Sequence, residues 1–139
     1  MAKPDRIIAL DVGEKRIGVA IGDSQTKIAI PETTLENDEM FTENLAKVIN
    51  KKQPISIVVG LPRNSEGQET KQSKYARVFA KSLNVFNLPI KFQDESLTSV
   101  EAKALLDMQQ DKSYDKEQID AKAAALILSD YLEENYARQ

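Results

Sequence analysis

The sequence contains neither cysteine nor histidine. Their absence excludes disulfide bonds, thiolate nucleophiles and cysteine metal sites, and it removes imidazole as an acid, a base or a metal ligand. Any catalysis must therefore depend on carboxylates, hydroxyls, amines or a metal ion held by oxygen atoms.

Long apolar runs are also missing. No stretch approaches the roughly 20 apolar residues that cross a bilayer, and the N-terminus, MAKPDR, has no apolar segment before a cleavage site. We therefore expect a cytoplasmic protein with no membrane partner.

A strong excess of one charge is absent as well, since the net charge is −3. This balance argues against general coating of a polyanion. An enzyme that acts on nucleic acid can nevertheless confine its basic surface to one face while acidic residues gather at a metal site.

The 139 residues suffice for one domain with its own core, and we expect a single domain over residues 1–139.

The first half of the chain alternates short apolar runs with turn-forming residues. Runs at 7–10, 17–21 and 27–30 predict an antiparallel meander of three strands, and the segments DVGEK and GDSQT between them predict turns. After Asp38 the apolar residues recur at helical spacing as far as Pro54, which predicts one amphipathic helix.

The second half has the pattern of parallel strands. ISIVVG, residues 55–60, is a β-branched run typical of a strand buried on both faces. A helix is predicted over about 70–83, and IKFQDE, residues 90–95, is the next strand. A strand, a helix and a strand in this order predict a parallel crossover.

Two further helices are predicted after that strand. Thr98 as N-cap and Glu101 three residues later form a capping box, so one helix begins there and ends near Met108. A long, alanine-rich helix then starts near Ile119.

Acidic residues stand at the ends of the predicted elements. Asp11 follows the first strand, Asp94 and Glu95 end the last strand, and Asp120 lies in the first turns of the last helix. Sites in open α/β sheets form outside the carboxyl ends of the strands. Asp11 and Glu95 would converge there if their strands are neighbours, and Asp120 could join them from a helix that crosses that edge.

Carboxylates held close together raise a pKa or bind a cation, and hard oxygen ligands suit Mg²⁺ or Mn²⁺. Two such ions, roughly 4 Å apart, can activate a water and stabilise the leaving oxygen of a phosphodiester. Each acid also has an ordinary explanation: Asp11 as a turn residue, Glu95 and Asp120 as favourable charges near helix N-termini. Their joint position at element ends favours a metal site.

Four segments, in order, resemble those of one family. They are LDVGEKRIGVAIGD, VVGLPRNSEGQET, DESLTSVEA and IDAKAAALILSDYLE. In these segments the sequence resembles the YqgF family, also called RuvX-like, whose members are small RNase H-fold proteins described as Holliday junction resolvases or pre-16S rRNA nucleases. The resemblance covers almost the whole chain.

The resemblance implies an α/β, RNase H-like fold. We expect a mixed five-stranded sheet, with its first three strands antiparallel and the others parallel, and helices on both faces. The resemblance also implies catalytic, metal-ligating roles for Asp11, Glu95 and Asp120, with two Mg²⁺ or Mn²⁺ ions as cofactors. Asp94 matches the acid beside Glu95, and we expect it to support the ligands rather than to bind the ion directly.

Basic and polar residues near these acids match the family's segments too. Gly60 and Gly67 would allow tight backbone geometry in GLPRNSEGQET. An ordinary polar loop is the alternative for that segment, and the basic pair that follows Glu14 can equally hold a phosphate or neutralise the acids. The residues expected to bind substrate are Lys15, Arg16, Arg63, Asn64, Lys71, Lys74 and Arg77.

Two positions depart from the family pattern. Many relatives carry arginine after the paired acids, where this chain has Ser96, and an apolar residue after GLP, where it has Arg63. Either a cation has moved across the cleft or one substrate contact is lost.

The leading hypothesis is a metal-dependent nuclease whose partner is nucleic acid, with maturation of the 5′ end of pre-16S rRNA as its task and ribosomal particles as further partners. Cleavage of branched DNA, as a Holliday junction resolvase, and a non-catalytic nucleic-acid-binding module are the alternatives. An actin-like kinase or ATPase would need a second lobe, for which the chain is too short. The sequence leaves open RNA or DNA, and monomer or homodimer.

Overall fold

The computed structural model describes residues 5–96 and 116–136. The predicted helix from Thr98 to Met108 lies outside these residues. In the described ranges no helix is both long and apolar enough to cross a membrane. The elements are β1 (Arg6–Val12), β2 (Arg16–Asp23), β3 (Ala29–Glu36), α1 (Phe41–Lys52), β4 (Ser56–Arg63), α2 (Lys71–Ser82), a short 3-10 helix (Leu83–Phe86), β5 (Ile90–Ser96) and α3 (Lys116–Asn135).

The strands form one mixed sheet in the order β3-β2-β1-β4-β5. β1 pairs antiparallel with β2, and β2 with β3, whereas β1 and β4 are parallel, as are β4 and β5. The expected mixed sheet, with three antiparallel strands followed by parallel ones, is confirmed. Because β1 is the central strand, Asp11, near its C-terminal end, lies midway along the side of the sheet that the strand ends form.

Alternate side chains of each strand pack on opposite faces of the sheet. α1 and α2 cover one face through Phe41, Leu45, Ala76 and Ala80. α3 covers the other face, so the expectation of helices on both faces is also confirmed. We call them the α1/α2 face, which buries Ile8, Leu10 and Val12 of β1, and the α3 face, which buries Ile7 and Ala9 of β1 and Ala20 of β2.

α3 approaches the sheet closely because the strands carry glycine beneath it. A Cβ atom added at Gly18 would lie 2.0 Å from the backbone oxygen of Asp120, and one added at Gly60 would lie 2.6 Å from Cδ1 of Ile127. The helix contributes small residues of its own, with Ala121 and Ala124 buried. The first turns of α3 are therefore set against β2 by backbone contact.

β3 is longer than its apolar run predicts. Only Ile30 and its neighbours carried the signal, yet pairing with β2 continues to Glu36, which lies opposite Arg16. β3 is an edge strand, so Pro31 costs no hydrogen bond on its open side, and the register shifts opposite Val19 and Ala20. Pairing with a neighbouring strand, rather than the local sequence, sets the length of β3.

Candidate functional site

Asp11 lies one residue before the end of β1, and its side chain is half-buried. Strand alternation places it on the α3 face with Ile7 and Ala9. Its Cα partner on β2 is Gly18, and paired residues in such a ladder lie roughly 5 Å apart. Because Gly18 has no side chain, the space next to Asp11 is left for the start of α3.

Asp120, in the first turns of α3, occupies that space. Its backbone oxygen rests over Gly18, and its side chain accepts a hydrogen bond from Nε of Arg16, with 2.8 Å between Nε and Oδ2. Arg16 is the first residue of β2 and, like Asp120, is partly exposed. The structure therefore brings Asp11 and Asp120 to one end of β1 and β2, and it gives Arg16 the neutralising contact that the sequence left as one of two alternatives.

Glu95 and Asp94 point to opposite faces of β5, because neighbouring residues of a strand alternate. Glu95 is on the α3 face, the face of Asp11, and its Oε1 atom is buried. Asp94 is on the α1/α2 face, where Oδ1 accepts a hydrogen bond from Nε of Arg63 at 3.1 Å and lies 3.0 Å from a second guanidinium nitrogen. The structure thus places the two acids on opposite faces of β5, with Asp94 paired to Arg63.

The three carboxylates on the α3 face have the chemistry of a Mg²⁺ or Mn²⁺ site, since all are hard oxygen donors. They are not gathered around one point. The backbones of Asp11 and Glu95 are separated by β4, at two strand spacings or roughly 10 Å, and the carboxylate of Asp120 is engaged by Arg16. Within residues 5–96 and 116–136, no group of three ligating side chains stands close enough to hold a metal ion.

A pocket of about 610 Å³ opens beside Asp120. The turn between β1 and β2 forms one wall, and the start of α2 forms the other. Three of the residues expected to bind substrate are cations in this lining. The lining residues are Gly13, Glu14, Lys15, Arg16, Thr70, Lys71, Gln72 and Asp120.

The start of α2 is fixed by a reciprocal cap. The hydroxyl of Thr70 accepts a hydrogen bond from the backbone N–H of Ser73, and the hydroxyl of Ser73 accepts one from the backbone N–H of Thr70. The hydroxyl of Thr70 also donates to the carbonyl of Pro62 in β4. The positive end of the α2 dipole is therefore held at the wall of the pocket, next to Lys71.

Asn37, which the sequence did not single out, anchors the opposite wall. Its side-chain amide donates to the carbonyl of Gly13 at 2.9 Å and to the hydroxyl of Tyr75 at 2.8 Å, and its backbone N–H donates to the carbonyl of Lys15 at 2.9 Å. Gln72 of α2 adds a longer bond to the carbonyl of Val12. No local pattern marks Asn37, because its partners lie in segments distant in sequence.

Asn64 organises its own loop. Its Oδ1 atom accepts hydrogen bonds from the backbone N–H groups of Glu66 and Gln68, both at 2.9 Å, and its amide donates to Oε1 of Gln68. Gly67 adopts a positive φ of 80° in the same turn. The sequence suggested that Asn64 orients a substrate, but these contacts give it a structural task within the loop.

Arg63 and Arg77 are engaged in ion pairs beside this loop. Arg77 donates to Glu69 and lies over the ring of Phe92, 5.4 Å from its centroid. The hydrogen bond from Arg77 lowers the pKa of Glu69 below its ordinary value of 4.5, and the charges of Arg63 and Lys74 act in the same direction. Part of the positive charge that we expected to contact phosphate here is therefore neutralised by acidic groups of the protein.

The two departures from the family pattern are neighbours in the sheet. Arg63 and Ser96 are Cα partners across β4 and β5. The position at which many relatives are expected to carry arginine therefore lies beside Arg63 of the adjacent strand. In this chain the guanidinium of Arg63 binds Asp94.

Comparison with known proteins identifies relatives over nearly the whole chain. The sequence model of a family described as "RuvX: Holliday junction resolvase" matches residues 5–134. A protein of Buchnera aphidicola subsp. Baizongia pistaciae named "Putative pre-16S rRNA nuclease" is 42% identical over 129 residues, which are 90% of this chain and 94% of that protein. One of the same name from Shewanella oneidensis is 39% identical over 134 residues, 94% of this chain and 95% of that protein.

Solved structures show the same fold at low sequence identity. RuvC of T. thermophilus, in complex with a Holliday junction substrate, matches with a TM-score of 0.54 and 12% identity over 96% of each chain. The Fowlpox virus resolvase, in complex with Holliday junction DNA, matches with a TM-score of 0.53 and 12% identity over 93% of this chain and 97% of that one. These similarities confirm the expected RNase H-like fold.

Proposed function

Because this chain belongs to the RuvX Holliday junction resolvase family, we propose that it is a metal-dependent nuclease that hydrolyses phosphodiester bonds. The acids assigned to catalysis and metal binding are Asp11, Glu95 and Asp120, which share the α3 face of the sheet at the carboxyl ends of β1 and β5. Among folds with parallel strands, this edge is the usual place for a site.

The observation that carries the proposal is that acids and three cations share one pocket. Asp120 lines the same pocket as Lys15, Arg16 and Lys71. A phosphodiester backbone needs positive charge to be held, and its hydrolysis needs acidic groups to bind the ions that stabilise developing charge. Both kinds of group are therefore within reach of one ligand in this pocket.

The roles of the residues follow from their positions. Lys15 and Lys71, from opposite walls, bind the nucleic-acid backbone, and the start of α2 adds the N-terminal end of its dipole. Arg63 and Arg77 form ion pairs with Asp94 and Glu69, and Asn64 binds the backbone of its own loop. Together with Lys74, these residues shape the surface next to the pocket. Two Mg²⁺ or Mn²⁺ ions, when bound, would supply an activated water and stabilisation of the leaving oxygen.

The proposed substrate is pre-16S rRNA, because relatives about 40% identical over nine-tenths of the chain are named as nucleases of that RNA. Maturation of its 5′ end is the proposed task. Ribosomal particles and a cytoplasmic location belong to the same proposal. Branched DNA is the second candidate substrate, and it is favoured by the family description and by fold neighbours solved with Holliday junctions.

A side-by-side cleavage assay tests both the activity and the substrate. The purified protein is incubated with an rRNA precursor or a four-way DNA junction, in Mg²⁺, Mn²⁺ or EDTA, as wild type and as Asp11→Asn. Cleavage of the precursor that needs the metal and disappears in Asp11→Asn is the expected result. Asp5→Asn, which changes an exposed acid just before the opposite end of β1, is the matched control and should cleave normally.

Two outcomes would contradict the proposal. Metal-dependent cleavage that persists in Asp11→Asn would remove Asp11 from the site. Binding of both nucleic acids without turnover in any metal would favour the non-catalytic binding module.

A further inference from the structure

The ion pair between Arg16 and Asp120 connects a cation proposed to bind substrate in the pocket with an acid proposed to bind metal. Nε of Arg16 and Oδ2 of Asp120 are 2.8 Å apart, and the two side chains are 31% and 27% exposed. Both residues line the pocket between the β1–β2 turn and α2. The pair is therefore formed where solvent, ions and a phosphate can all reach it.

The backbone on both sides of this contact is fixed. Arg16 starts β2 and is paired with Glu36 of β3. The backbone oxygen of Asp120 is seated over Gly18, so a simple shift of α3 towards the sheet is blocked. A change in the partner of Asp120 is therefore expected from rotation of side chains rather than from movement of α3 towards the sheet.

Arg16 and a divalent cation compete for the same kind of atom. A carboxylate oxygen that accepts a charge-assisted hydrogen bond from a guanidinium has lost part of the negative charge that attracts a metal ion. A guanidinium bound to a carboxylate is likewise less available to a phosphate. The ion pair thus lowers the affinity of this pocket for both ligands when each is offered alone.

We propose that Arg16 is a positioning residue that exchanges partners. It holds Asp120 while the site is empty, and it turns to a substrate phosphate when Asp120 turns to a divalent cation. The inference rests on the proposed function for the identity of both ligands. The exchange couples the two ligands, so that cation binding and nucleic-acid binding favour each other. A cation on Asp120 releases Arg16 for the phosphate, and a phosphate on Arg16 releases Asp120 for the cation.

This exchange has a reciprocal signature. If the cation raises the affinity for nucleic acid by a given factor, nucleic acid raises the affinity for the cation by the same factor. The part of this factor that passes through Arg16 disappears when the guanidinium is removed. A residue that only oriented Asp120 as a ligand would have the opposite effect, since its loss would weaken cation binding.

The test measures cation binding alone, without turnover. Mn²⁺ is titrated calorimetrically into wild type and Arg16→Gln, and we expect Mn²⁺ to bind Arg16→Gln about two- to fivefold more tightly, the scale of a partly exposed ion pair. Lys15→Gln removes the same charge from the same pocket and should change Mn²⁺ affinity less. Arg16→Lys keeps the charge and should bind Mn²⁺ nearly as wild type does. Asp120→Asn should lose the heat of binding, which assigns the titrated ion to this site.

A second measurement follows nucleic-acid binding. Fluorescence anisotropy of a labelled four-way junction is measured with Ca²⁺ and with KCl at equal ionic strength, and the intact junction is verified on a gel. Ca²⁺ should strengthen binding by wild type, and the gain should be smaller in Arg16→Gln than in Lys15→Gln. Thermal unfolding of each variant shows that the fold is retained.

Weaker or unchanged Mn²⁺ binding by folded Arg16→Gln overturns the exchange. Cleavage assays are interpreted separately: a wild type that binds Mn²⁺ and shows the Arg16 effect but cleaves nothing contradicts the nuclease proposal and leaves the exchange standing. A wild type that cleaves with metal but shows no gain on removal of Arg16 contradicts the exchange alone.

Discussion

The two faces of the sheet are formed by the same strands but differ in the size of the side chains that they carry. On the α1/α2 face, β1 buries Ile8, Leu10 and Val12 among the bulky side chains of a hydrophobic core. On the α3 face, β1 ends in Ala9 and Asp11, and the neighbouring strands present glycines and alanines on which α3 rests.

The difference shows how the acids are positioned. Bulky side chains hold a helix away from a sheet and can adjust by changing rotamers, whereas contact between a helix backbone and a glycine leaves little freedom. Gly18 therefore fixes the height of Asp120 above the sheet, near Asp11. The face with the smaller side chains is the one on which residues from distant segments are held in register.

The strongest contrast between the faces is expected on β5. Glu95→Gln should reduce the rate of phosphodiester cleavage on the order of 10²- to 10³-fold, the scale for loss of one group that stabilises charge in the transition state. Asp94→Asn, the adjacent residue on the other face, should cleave nearly as wild type does. Single-turnover rates with saturating metal measure both, and equal losses in the two variants would show that the faces are not functionally distinct.

A methyl group on the α3 face should cost both stability and activity. Gly18→Ala places a Cβ against the backbone of Asp120, and we expect the free energy of unfolding to fall by about 1–3 kcal/mol and cleavage to fall with it. Val19→Ala, buried on the α1/α2 face, should lower stability by leaving a cavity but should preserve cleavage by the folded protein. Urea unfolding measures the stability of both variants, and cleavage is assayed at urea concentrations below the unfolding transition. Loss of cleavage in Val19→Ala, or normal cleavage in Gly18→Ala, would contradict the prediction.

A smaller effect is expected from the anchor of the β1–β2 turn. Asn37→Ala removes hydrogen bonds to Gly13 and Tyr75, each worth about 1 kcal/mol, and should weaken oligonucleotide binding because the wall of the pocket is no longer held. Tyr75→Phe removes only one of these bonds and should have about half the effect on stability. Unchanged oligonucleotide affinity in a folded Asn37→Ala protein would mean that other contacts position the turn.

The smallest effect concerns Glu69 on the α1/α2 side. Because the hydrogen bond from Arg77 lowers the pKa of Glu69 in the folded protein, this pair stabilises the fold above pH 4.5, the ordinary value, and the stabilisation is lost as the pH falls through the lowered pKa. Arg77→Gln should therefore be less stable than wild type at pH 7, and the difference should shrink in acid. Chemical unfolding at several pH values checks the sign, and a difference that grows in acid would contradict it.

Particular residues show what could be predicted. Strand alternation alone could have separated Asp94 from Glu95, since the period of a strand is two residues. Asn64 was predicted as a substrate contact because a polar residue in a Gly-containing loop has the same appearance whether it binds a ligand or the loop itself. Arg16 could not be assigned, because its partner Asp120 lies 104 residues away in sequence.

Composition and pattern in the sequence were enough to predict the fold of this protein and to nominate the residues of its candidate site. The absence of histidine and cysteine left carboxylates as the catalytic candidates, and apolar periodicity together with family segments predicted the mixed sheet with helices on both faces. Tertiary structure alone decided which groups meet: Arg16 with Asp120, Asn37 with the turn, and Arg63 with Asp94. The physical reason is that periodicity reports which face of an element is buried, whereas hydrogen bonds and ion pairs depend on distances between segments that only packing brings together.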